Sequence, residues 1–250
     1  MRVGGRIAVL AMAALLAAVP AGSAPARKTH LVVLGAVRHV PYSKAGDPAG
    51  ALAGESELKI RALLVDGALK EWTTGDAHDV TDRSFVVRRA IKLNDALPSD
   101  KPVSSDKSDQ KLAPAAGRWV WQRGPWLLVD RETGHVVALK LPDYDPGVSQ
   151  VSWFRDYAAY CGVTASGKSL YAVVAQVAAR KPVLAKRLAA FDPENHPEPA
   201  CSAAEWQREP LRITFHAAGR DALSFDVVPG SAVLVEDAWD EAETPAAAPK

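Results

Sequence analysis

The clearest hydrophobic pattern in the chain has a period of two. In Ser84–Leu93, Phe85, Val87, Ile91 and Leu93 fall on one side, with Arg88 and Lys92 on the other. Successive side chains of a strand point to opposite faces, so this alternation predicts a strand with one buried face. Arg89 interrupts the apolar side and calls for a strand end or a carboxylate partner. Leu58–Val65 and Ala68–Thr73 flank Asp66-Gly67, a pair suited to a type I′ hairpin turn, whose two central residues need positive φ. Trp119–Leu141 is dense in β-branched and aromatic residues. It reads as three short strands, turning at Gly124-Pro125 and at Arg131–Gly134. Val151–Ala175 reads as a further hairpin, turning on Ala165-Ser166-Gly167-Lys168.

His30–Tyr42 is another strand candidate, followed by a loop at Ser43–Gly54 that carries Gly46, Pro48 and Gly50. Pro182–Phe191 suits a strand or a short helix, and Asp192–Ala200 is a Pro-rich loop. Ser202-Ala-Ala-Glu205 fits a capping box and predicts one helical turn at Ser202–Arg208. Leu211–His216, Ala222–Val228 and Ala232–Glu236 complete the series as strands, separated by Gly219-Arg220-Asp221 and Pro229-Gly230. Hardly any window has the length and period of a helix, so the fold class is all-β and antiparallel. Leu63, Leu127, Leu170 and Leu223 each open a similar apolar strand before a turn. That recurrence suggests a small, irregular propeller-like arrangement of hairpins. A β-sandwich or barrel is the alternative, since any antiparallel sandwich repeats strand and turn.

These strands make up a single β-rich domain over residues 27–238. Residues 94–117 interrupt it with Ser, Asp, Lys and Pro and almost no large apolar side chain, the composition of a mobile polar surface loop. Residues 239–250 lack the apolar content to order themselves and read as a disordered tail. The N-terminus has a different character. Arg2 and Arg6 precede an apolar run from Ile7 to Val19, and small residues follow at Gly22-Ser23-Ala24 and Ala24-Pro25-Ala26. This is the layout of a secretory signal peptide over residues 1–26. A membrane-spanning helix needs about 20 apolar residues, and this run stops at Pro20. No cysteine lies near the cleavage region to carry a lipid. The expected location is periplasmic or secreted, with no integral span once the signal is removed.

Loss of the signal leaves 28 basic residues against 29 acidic ones. A near-neutral chain without a basic stripe is a poor partner for nucleic acid. Cys161 and Cys201 are the two cysteines, and in an exported chain they are expected to form a disulfide.

Three constellations are candidates for chemistry. With a turn at Gly124-Pro125, Trp119, Trp121, Arg123, Trp126, Leu128 and Asp130 share one face, where indoles beside a cation suit a sugar ring or a cationic group. The same face would equally pack against a neighbouring sheet. Asp76, His78, Asp79 and Asp82 crowd oxygen and nitrogen donors into one loop, a candidate metal site whose spacing matches neither an EF-hand nor HExxH. Asp143 and Asp145 flank Tyr144 on one side of an extended segment, a spacing open to acid–base work on a glycoside, but they lie in a turn-like Pro-Asp-Tyr-Asp-Pro-Gly. A nucleophile elbow of the form GxSxG is absent, as are phosphate-binding glycine loops, and no cofactor is implied. The pattern points to an exported, non-catalytic β-protein that binds a protein or polysaccharide partner. A secreted carbohydrate-active hydrolase and a structural envelope component are the alternatives.

Overall fold

The computed structural model describes residues 29–94 and 119–235. The expected signal segment, the polar loop beyond Asn94 and the C-terminal tail lie outside these residues. No described residue is helical, and every strand pairing between the named strands is antiparallel. The all-β expectation therefore holds.

The first sheet comprises β1 (Val32–Leu34), β2 (Arg38–Pro41), β3 (Glu57–Val65), β4 (Ala68–Thr81), β5 (Ser84–Asn94), β6 (Trp119–Asp130) and β7 (Val136–Ala138). Its order is β1-β3-β4-β5-β6-β7, with β2 sharing the outer edge of β3 with β1. Asp66 (φ 52°) and Gly67 (φ 78°) make the β3–β4 turn with positive φ at both positions, as the sequence predicts. The turn after β6 is fixed by Asp130, whose carboxylate accepts the N–H groups of Glu132 and Thr133, each at 2.9 Å. Those bonds, Thr133 foremost, together with Arg83, hold the Asp130 carboxyl well below the usual carboxylate range.

Gly124-Pro125 is not a turn. β6 runs straight through it, because β5 presents an unbroken edge that pairs from Asn94↔Trp119 to Ser84↔Asp130. Arg88 faces Trp126 and Ala90 faces Arg123, so Arg89 alone opposes Gly124 and Pro125. That is a β-bulge, a place where proline's missing N–H is tolerated. The extra residue restores the parity that a hairpin turn would have set. Trp119, Trp121, Arg123, Trp126, Leu128 and Asp130 therefore do share one face, opposite the even-numbered residues of β5.

The sheet buries opposite faces at its two ends. Leu58, Ile60, Ala90 and Trp121 form a core on one face. Leu63, Phe85, Val87, Leu127 and Val129 form another on the reverse face. The single-buried-face expectation for β5 consequently fails: Val86, Arg88 and Ala90, on its supposed polar side, are buried as well. The chain leaving β2 also crosses to β6, where Tyr42 bridges to Trp121 and Ser43 N–H bonds Trp121 O at 2.9 Å. Among the described residues no sheet closes into a barrel.

Two four-stranded meanders follow. One contains β8 (Ser152–Phe154), β9 (Tyr157–Val163), β10 (Ser169–Gln176) and β11 (Leu184–Ala190). The other contains β12 (Glu205–Gln207), β13 (Arg212–Phe215), β14 (Leu223–Val228) and β15 (Ser231–Leu234). They share one core, in which Ala159, Leu170, Ala172 and Val174 meet Ile213, Phe215, Phe225 and Val227. The Cys161–Cys201 disulfide joins them, with Cα atoms 6.2 Å apart. The helical turn expected at Ser202–Arg208 is strand β12 instead. A single turn gains few hydrogen bonds for the backbone it fixes. As a strand, Trp206 pairs with Ile213 and packs against Phe154 and Tyr157. Where residues 182–191 suited a strand or a helix, the strand β11 forms.

Candidate functional site

Residues 43–56 fold over the first sheet as a loop built from short local turns. Within it, Asp47 N–H bonds Lys44 O at 3.1 Å and Glu55 N–H bonds Leu52 O at 3.1 Å. Three contacts pin it down. Arg88 Nη1 lies 3.1 Å from Asp47 Oδ2. Arg123 Nη2 donates to both Glu55 oxygens at 2.7 and 2.9 Å, while its Nη1 donates to the Tyr42 hydroxyl at 2.6 Å. Gln150 Nε2, from the segment leading into β8, donates to Ala49 O at 2.7 Å. Both arginines project from the same face of adjacent strands, as their β5 and β6 positions require. A forked guanidinium on a carboxylate fixes geometry as well as charge. Burial raises the Asp47 carboxyl above its ordinary range, against the pull of Arg88 and Arg123. Burial likewise raises the Tyr42 hydroxyl, opposed by Arg123.

Two cavities open beside this loop. The larger, about 410 Å³, is lined by His39, residues 52–55, Glu57, Leu58, Lys59, Thr74, Gly75 and Arg123. The smaller, about 180 Å³, is lined by Gly50, Thr74, Gly75, Asp76, Arg88, Arg123, Trp126, Gln150 and Val151. Thr74, Gly75 and Arg123 line both, so the two adjoin at Arg123 and make up the cleft beside this loop. Its walls combine planar hydrogen-bonding groups with an indole and aliphatic side chains. Planar polar groups suit adjacent hydroxyls, and an aromatic face suits the C–H face of a sugar ring.

The four aromatic-face residues have separate fates. Trp121 is core, 9% exposed and edge-on to Trp72 at 5.9 Å. Trp119 is 52% exposed, with Lys92 Nζ 4.7 Å above its ring. Arg123 and Trp126 reach the cleft, and Trp126 also packs edge-on against Trp153 at 5.2 Å. Trp121 thus belongs to the core, whereas Arg123 and Trp126 line the cavities beside the 43–56 loop.

The donors considered for a metal do not gather. β4 runs through Asp76, His78 and Asp79, so the stretch is a bulged strand rather than a loop, and its side chains diverge. Asp76 lines the smaller cavity. His78 Nε2 donates to Arg155 O at 2.8 Å, and its ring stacks on Trp153 at 5.8 Å. Asp79 pairs with Arg131 at 2.6 Å, and Asp82 sits in the β4–β5 turn. Among the described residues, no three His, Cys, Asp or Glu side chains form a metal-binding group. Asp143 and Asp145 line a separate cleft of about 520 Å³ with Phe191 and Thr164. Asp145 Oδ1 accepts Gly147 N–H at 2.8 Å and Asp143 O accepts Val163 N–H at 2.8 Å, so both residues serve the turn that docks on β9.

Asp47, Glu55, Arg88 and Gln150 had no part in the expected site. Their trace in the sequence is slight: two cations embedded in otherwise apolar strands, with acidic residues in a nearby loop. Comparison with protein-family models, curated proteins and solved structures returned no match.

Proposed function

We propose that this chain is an exported, non-catalytic protein that binds a polysaccharide in the cleft between residues 43–56 and the first sheet. The observation that carries the reading is the junction at Arg123. There two cavities meet, lined by His39, Glu57, Arg88 and Gln150 as hydrogen-bonding groups and by Trp126 as a ring surface. Export is supported by the N-terminal pattern and by the disulfide, a bond that persists in oxidising compartments.

Tryptophan fluorescence of the mature protein, titrated with a panel of cell-wall and plant polysaccharides, tests the reading. A saturable shift with one glycan is expected, and it should be lost in Trp126→Leu while Trp119→Ala retains it. Incubation with that glycan should release no new reducing ends. A flat response across the panel overturns the polysaccharide reading, and release of reducing ends overturns the non-catalytic one.

A further inference from the structure

We infer that the cleft selects a neutral, polyhydroxylated glycan over an acidic one, an inference that rests on the polysaccharide reading above. The cleft contains charges of both signs, and its two arginines are satisfied within the protein. Arg88 is held by Asp47 at 3.1 Å and Arg123 by Glu55 at 2.7 Å. Of the remaining charged lining residues, Glu57 and Lys59 belong to the larger cavity and Asp76 to the smaller, so they leave no surplus of positive charge.

A uronate or sulfate entering such a site would lose hydration without meeting a surplus of positive charge. Moving a charge out of water is costly unless it finds a partner. Recruiting Arg123 would mean breaking its fork on Glu55 and leaving a half-buried carboxylate alone. Neutral hydroxyls carry no such penalty. Each can donate to carboxylate lone pairs still open on Glu57 or Asp76, or accept from Thr74, Gln150 or a guanidinium edge. Pairing also holds the guanidinium and carboxylate planes in fixed orientations before the ligand arrives, which lowers the entropy lost on binding. Leu52, Val151 and Trp126 supply apolar surface for the C–H faces of the sugar.

Calorimetry of the mature chain with hexasaccharides of glucose, mannose and xylose, beside hexasaccharides of galacturonate and mannuronate, tests the inference. At least one neutral hexasaccharide is expected to bind, with an affinity that changes less than about twofold between ~20 and ~200 mM salt. The uronates should bind at least about tenfold more weakly. Ala53→Trp, at an exposed position of the larger cavity, should block the neutral ligand without loss of thermal stability. Uronates binding more tightly, with affinity falling as salt rises, would overturn the neutral selection and leave the polysaccharide reading intact. Binding that survives Ala53→Trp unchanged would place the ligand elsewhere and overturn the inference. No binding by any hexasaccharide would sink the polysaccharide reading along with it.

Discussion

Asp47 and Arg88 form an ion pair of 3.1 Å in which the side chains are only 1% and 10% exposed. The pair ties the 43–56 loop to the middle of the first sheet. It also explains why β5 buries both faces, since Arg88 projects from the side where a solvated residue was expected. Arg88 is further fixed from behind by its Nε–H bond to Gly124 O at 3.0 Å, on the bulge of β6. Sheet irregularity and loop anchor are thus one arrangement.

Removing one partner of this pair should be far worse than removing both. Arg88→Met leaves a buried carboxylate uncompensated and is expected to cost about 3–5 kcal/mol. Asp47→Leu with Arg88→Met replaces both charges by apolar groups of similar size and should recover much of that loss. Urea denaturation of the two single variants and the double variant gives the coupling. Additive losses would show that the pair does not act as a unit.

The raised Asp47 carboxyl has a defined pH signature. A carboxyl that binds its proton more tightly folded than unfolded contributes stability fully present below the ordinary carboxylate value. That contribution is lost as pH rises through the folded-state value. Relative to Asp47→Asn, the native chain should therefore lose stability as pH climbs through that interval, then run parallel to the variant above it. Denaturation midpoints of both proteins across the acid range provide the check. A difference that grows with pH instead would mean that Arg88 outweighs burial and lowers the carboxyl.

Local patterns carried the strands well. Alternation in Ser84–Leu93 located β5, and Asp66-Gly67 located the β3–β4 turn. The apolar strands and turns near the C-terminus located β13 to β15. What was lost depended on partners distant in sequence. Gly124-Pro125 has the composition of a turn, but a continuous β5 edge converts it into a bulge. Ser202–Glu205 has the composition of a helix start, but β13 offers it a ladder. The cleft was harder still: Asp47, Gln150 and Arg88 become neighbours only after a loop, a linker and a strand are folded together. A one-dimensional pattern shows that Arg88 interrupts nothing, and it gives no sign that the opposite face is covered.

The two indoles that bracket the start of β6 should respond very differently to truncation. Trp121 packs among Leu58, Ile60 and Ala90, so Trp121→Ala is expected to cost about 3–5 kcal/mol through the cavity it leaves. Trp119 offers an exposed ring to Lys92, an interaction worth under about 1 kcal/mol. Comparison of denaturation midpoints separates them, and equal losses would contradict the burial of Trp121.

Gly124 is required for space rather than for an unusual φ. A β-carbon there would lie 2.7 Å from Ile91 Cδ1 and 2.8 Å from Ile91 Cγ1. Gly124→Val should therefore cost about 1–3 kcal/mol through overpacking, and trimming the neighbour in Gly124→Val with Ile91→Ala should recover part of the loss. A double variant weaker than the sum of the two singles would locate the strain elsewhere on the bulge.

The disulfide should protect one half of the molecule. Cys161 lies on β9 and Cys201 precedes β12, 40 residues later. Closing a loop of that length stabilises by about 4 kcal/mol in the chain-entropy model. Both cysteines are 1% exposed, so mild reductant should act slowly on the folded chain, and the paired substitutions Cys161→Ala and Cys201→Ala are the cleaner test. The loop encloses β10 and β11 and tethers the β12–β15 sheet to the shared core, whereas β1 to β7 lie wholly outside it. Hydrogen exchange is therefore expected to accelerate in β9 to β15 and to change least in β3 to β6, whose own ladders and two cores are untouched. Uniform acceleration across all three sheets would show instead that the chain unfolds as a single cooperative unit, with the Trp126–Trp153 contact strong enough to couple its halves.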